Sequence, residues 1–104
     1  MLVDILGTKY VVKEDISLKD TQADGLCKSY SKEITYRTIE EMLCKDDPVE
    51  LKEERKREVI RHEIVHAFFF EAGLEIYGGD EVLVDWIAKQ FPKMLHAIEQ
   101  AGGI

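Results

Sequence analysis

Apolar and polar residues change rhythm along this chain, from alternation in its first third to three- and four-residue spacing in the rest. Leu2 to Lys13 holds two short alternating runs around Gly7 and Thr8, and a Gly-X pair suits a two-residue type II′ hairpin turn. That turn sets Ile5 opposite Tyr10 and Val3 opposite Val12, with an apolar face on one side and Asp4, Lys9 and Lys13 on the other. Asp15 to Gly25 has no clean period and reads as loop, with Asp24-Gly25 as a turn. From Lys32 to Ile39, Ile34, Tyr36 and Thr38 fall on one face and Glu33, Thr35 and Arg37 on the other, a strand with which Leu26 to Tyr30 can pair.

Asp47-Pro48-Val49-Glu50 carries helix-start chemistry: a capping acceptor, a proline in the first turn and an acid three residues after the cap. The helix it opens is expected to run to about Ala72 and stop at Gly73, which suits a left-handed cap. Asp80 opens a second helix, in which Leu83, Ile87, Phe91, Leu95 and Ile98 form an apolar stripe; Pro92 should kink or divide it near Gln90, and Gly102-Gly103 end it. The expectation is one α+β domain over residues 1–104, with a small, mainly antiparallel sheet of three or four strands followed by two long helices.

Composition narrows what such a domain does. With 45% hydrophobic and 34% charged residues the chain has the balance of a globular protein. A net charge of −7 disfavours nucleic acid as a partner, since phosphates select basic surfaces, and the basic residues of Lys52 to Arg61 are interleaved with Glu53, Glu54 and Glu58. No apolar run approaches the roughly 18 residues of a membrane span and no leader pattern opens the chain, so a cytoplasmic protein is expected. Cys27 and Cys44 match no metal or redox spacing and read as two small, half-buried thiols.

The chemistry lies in Val59 to Phe68, which contains His62-Glu63-Ile64-Val65-His66 within the first long helix. Histidines four apart share a helix face, so both imidazoles can reach one ion at about 2.0–2.1 Å, while Glu63 lies to the side, within reach of a water on that ion. A third ligand is available in Glu81, in the first turn of the returning helix, with His96 as its competitor. Asp85, one turn beyond Glu81, can accept the second ring N–H of a ligand histidine.

His62-Glu63-Ile64-Val65-His66 followed by Glu81-Val82-Leu83-Val84-Asp85 resembles the His-Glu-x-x-His and Glu-x-x-x-Asp signature of gluzincin zinc metallopeptidases. The resemblance covers about Val59 to Phe91, and the chain also looks like small phage and mobile-element proteins distantly similar to ImmA/IrrE-type peptidases. It implies a zincin-like fold, zinc held by His62, His66 and Glu81, a protein or peptide substrate, and Glu63 as the general base for a zinc-activated water. Tyr77 and His96 are candidates, by residue type, for the donor to the oxyanion. The alternative is a zinc-binding regulatory or interaction module without hydrolysis; sequence does not fix the oligomeric state.

Overall fold

The computed structural model describes residues 1–42 and 46–104; Cys44 lies outside them. The chain folds as α+β. Strands β1 (Leu2–Ile5), β2 (Thr8–Glu14), β3 (Gly25–Lys28) and β4 (Glu33–Tyr36) form one mixed sheet in the order β1-β2-β4-β3, followed by α1 (Val49–Glu71), the single turn α2 (Glu75–Gly78) and α3 (Glu81–Gln100). β1 and β3 pair antiparallel with their neighbours, but the central pair β2 and β4 is parallel. The two 3₁₀ turns, Ile16–Asp20 and Ile39–Glu41, had no periodic signal in the sequence.

The first hairpin is two residues out of the expected register. Ile5 pairs with Thr8 and Val3 with Tyr10, and the turn residues are Leu6 and Gly7, with φ of 52° and 90°. Positive φ at both loop positions is the type I′ geometry, whose twist matches that of the flanking strands, and the Gly7 N–H donates to Asp4 Oδ1 at 2.6 Å. A slip of two keeps every side chain on its face, so the apolar face survives the correction. Val3, Ile5, Tyr10, Val12 and Ile34 pack with Ile64 and Ala67 of α1 as the core.

The other face of the sheet is polar and exposed along β1 and β2, as expected of Asp4, Lys9 and Lys13, but it is closed at the end of β4. Thr35 is fully buried, as are Leu18 and Met42, and Arg37 is 3% exposed. Arg37 donates to the carbonyls of Thr21, Ala23 and Glu41 and pairs with Asp24 at 3.4 Å, so one guanidinium satisfies the backbone of two connecting segments. Asp24-Gly25 is no turn: Asp24 is buried and Gly25 begins β3.

α1 starts at Val49 with Pro48 as its cap, one residue later than the sequence suggests and with no side chain capping it. It ends as expected. Gly73 has φ of 74°, the Leu74 N–H returns to the Phe69 carbonyl at 2.8 Å and the Gly73 N–H to that of Phe70 at 3.1 Å, the paired bonds of a Schellman cap. Its last residue, Glu71, accepts from Thr8 Oγ1 (3.1 Å), Tyr10 OH (2.6 Å) and Lys32 Nζ (2.7 Å), which bind the helix end to the sheet.

α3 begins at the Asp80 cap, whose Oδ1 accepts the Leu83 N–H at 3.1 Å. Pro92 neither divides it nor ends it: α3 is continuous from Glu81 to Gln100. A proline at 92 removes the N–H that would serve the carbonyl four residues earlier, at Ala88. That carbonyl instead accepts from Arg61 Nε of α1 at 2.6 Å. Val84 and Ala88 are fully buried, small enough for close packing of the two helices. Among the described residues, no helix is long and apolar enough to cross a membrane.

Candidate metal centre

The Schellman cap at Gly73, the one-turn α2 and the Asp80 cap turn the chain back so that the first turn of α3 lies beside His62 and His66 of α1. His62 Nε2 and His66 Nε2 are 3.2 Å apart; Glu81 places Oε2 3.0 Å from the first and Oε1 3.0 Å from the second. Asp85, one turn on, places Oδ1 3.3 Å from His62 Nδ1. The structure therefore brings together four of the residues singled out in the sequence.

These separations can be set against coordination geometry. Two ligand atoms each about 2.05 Å from a tetrahedral ion lie about 3.3 Å apart, close to the 3.2 Å between the two imidazole nitrogens. Charge points the same way. If Asp85 takes the Nδ1 proton of His62, Nε2 of that ring is left with a lone pair, facing a second imidazole nitrogen and a carboxylate. Such a group can be bridged by an N–H of the His66 ring or by a cation, and a metal ion meets all of its acceptors at once. Asp85 is held below its usual carboxylate range by Lys89, whose Nζ is 2.9 Å from Oδ2, and so remains an acceptor.

Glu63 points to the side of this group. It is 8% exposed, and its carboxylate lies with the ring nitrogens of His62 and His66 in a set of ligand atoms all within 4.8 Å of one another. Burial pushes its pKa up to about 7, His62 opposing that rise and Glu81 adding to it. A carboxylate poised there can accept a proton near neutral pH and release it again.

The group opens into a cleft of about 620 Å³ between α1, the start of α3 and the edge strand β3. Gly25, Leu26 and Cys27 form the strand wall, and Phe70, Glu75 and Gly78 close one end. The role of β3 had no sequence signal, because it depends on the long-range order of the sheet. Cys27 is a half-buried thiol whose pKa is raised, chiefly by burial.

Two candidates are not at the site. Tyr77 is half exposed, with its ring 6.3 Å from that of Phe69, and does not line the cleft. His96 is exposed on α3, about 22 Å along the helix axis from Glu81 at about 1.5 Å per residue, so it is in no position to compete as a ligand. Compared with protein-family models, with curated proteins and with solved structures, the chain matches none.

Proposed function

We propose that this chain is a zinc-dependent peptidase with a pared-down, zincin-like core, consistent with the resemblance of its two motifs to the gluzincins. One observation carries the reading: at the mouth of a cleft the Nε2 atoms of His62 and His66 lie 3.2 Å apart, and each lies 3.0 Å from one oxygen of the Glu81 carboxylate. Two imidazoles and one carboxylate make a donor set suited to zinc, and three protein ligands leave a coordination position for solvent. When bound, the ion supplies Lewis acidity, polarising a peptide carbonyl and acidifying water.

The protein's own groups do the rest. Asp85 lies against Nδ1 of His62 and would orient the ring so that Nε2 is the ligand atom. Glu63, buried to the side of the ligands, would receive the proton of the attacking water on its carboxylate and deliver it to the leaving amine. The free edge of β3 supports the choice of substrate: among the described residues no strand pairs with it, and an extended peptide can add along it in the cleft.

The test uses protein purified without added metal. Elemental analysis should find about one zinc per chain. Glu63→Gln should retain that zinc and lose hydrolysis of a mixed peptide pool read by mass spectrometry. A chain that binds no metal, or a Glu63→Gln variant as active as the parent, refutes the reading. Zinc retained with no hydrolysis by the parent identifies a metal-binding interaction module instead.

A further inference from the structure

Gly25 stands where the edge of the sheet comes closest to α1. A Cβ built on it would lie 2.6 Å from Val59 Cγ1, 3.1 Å from Glu63 Cγ and 3.2 Å from Glu63 Oε2. Ordinary carbon contacts fall at about 3.5–4.0 Å, so no side chain fits without displacing something. The need is for space and not for backbone freedom, because Gly25 lies in a regular strand and is absent from the positive-φ glycines.

Of the two neighbours, Val59 has the less room to yield. It is buried and β-branched, with a χ1 held nearly fixed in a helix. Glu63 has a longer, unbranched side chain, and among the described residues no hydrogen-bond donor anchors its carboxylate. With no such bond to hold it, the side chain of Glu63 depends on its packing against the bare backbone of Gly25.

The strand's register adds a second role for the same contact. The Arg37 N–H donates to the Asp24 carbonyl at 2.8 Å, and hydrogen-bonded pairs alternate along an antiparallel ladder. Leu26 and Lys28 therefore direct their backbone groups to β4, whereas those of Gly25 and Cys27 point to the free edge. The residue that lacks a side chain is thus one whose backbone faces the cleft beside Glu63.

We propose that Gly25 is a positioning residue for Glu63: the missing side chain lets the carboxylate lie against the strand edge, turned toward the His62–His66 pair. This inference rests on the metallopeptidase reading of the site. The three atoms nearest an alanine Cβ at 25 would belong to Val59 and Glu63 and none to a ligand, so the added carbon would press on the helix at Val59 and push the Glu63 carboxylate aside.

Cobalt(II) in place of zinc tests this without a substrate, since its visible absorption bands report the surroundings of the ion. The full chain, Gly25→Ala, Glu63→Gln and the double variant Gly25→Ala/Val59→Ala are each titrated with cobalt. Loss of a supporting partner lowers metal affinity about 10–100-fold, so affinity in Gly25→Ala within about threefold of the parent shows the ligand set intact. With that affinity, the bands of Gly25→Ala should move to those of Glu63→Gln. The double variant, in which the 2.6 Å contact is relieved, should return toward the parent spectrum and does so even if Gly25→Ala alone folds poorly. A Gly25→Ala spectrum identical to the parent's, where that of Glu63→Gln differs, overturns the role of Gly25 and leaves the metal site standing. Failure of the parent to bind cobalt overturns both.

Discussion

Arg61 and Pro92 should be energetically coupled although they sit on different helices. The carbonyl of Ala88 has lost its helical donor to Pro92 and takes Arg61 Nε at 2.6 Å in its place, in a residue that is fully buried. Arg61→Met keeps the aliphatic stem and removes the donor. A hydrogen bond to a charged group is worth about 1.5–3 kcal/mol, and the carbonyl left behind is shut away from water. At about 4–8 °C per kcal/mol for a domain of this size, the melting temperature should fall by roughly 6–24 °C. In a Pro92→Ala background residue 92 regains its N–H, the helix serves Ala88 itself, and Arg61→Met should cost less than about 1 kcal/mol. Urea unfolding of the four proteins gives the cycle, with an expected coupling of about 1–2 kcal/mol. If the two substitutions add to within about 0.5 kcal/mol, Arg61 does not replace the bond that proline removes.

Asp85→Ala should keep the metal stoichiometry and weaken affinity about 10–100-fold, read by competition with a chelator, since His62 loses the acceptor that fixes its tautomer. Thr35 Oγ1 is buried with no partner among the described residues, so Thr35→Val should leave stability unchanged or raise it by about 1 kcal/mol in urea unfolding; a loss of that size would mean the hydroxyl is satisfied. In metal-free protein Glu63 ionises at about 7 when folded and near 4.5 when unfolded. The folded state then holds the extra proton between those values, so stability falls as pH rises from 4.5 to 7 and levels off above. Glu63→Gln should remove that slope from the urea midpoint; an unchanged slope would assign it to other groups.

The helices were legible because their signals are local. The left-handed cap at Gly73, the Asp80 cap and the four-residue spacing of His62 and His66 each act within a few residues, and each lies where the chain's chemistry puts it. Glu81 and Asp85 followed from the sharp return between the helices. Pairings made over distance were not legible. The parallel contact of β2 with β4 depends on a crossover, and the burial of Arg37 on carbonyls from two loops, neither of which has a period. Pro92 shows the same limit: proline breaks a helix by local rules, but the donor that sustains this one comes from α1. Gly25 carries no signal until β3 is known to touch Glu63, and residue type alone could not tell that Tyr77 and His96 face elsewhere.

Glu71 puts a negative charge at the negative end of the α1 dipole, where a helix ordinarily favours a cation. Lys32 first, and then Tyr10, hold its carboxylate below the usual range, so it is retained as an anion. An anion with three donors on the sheet has one place to sit, and sliding α1 by a single residue would rotate it about 100° away from all three. The carboxylate thus acts as an index pin for the helix. Together with the core packing of Ile64 and Ala67, it fixes from more than a turn away which side chains of α1 look across at β3.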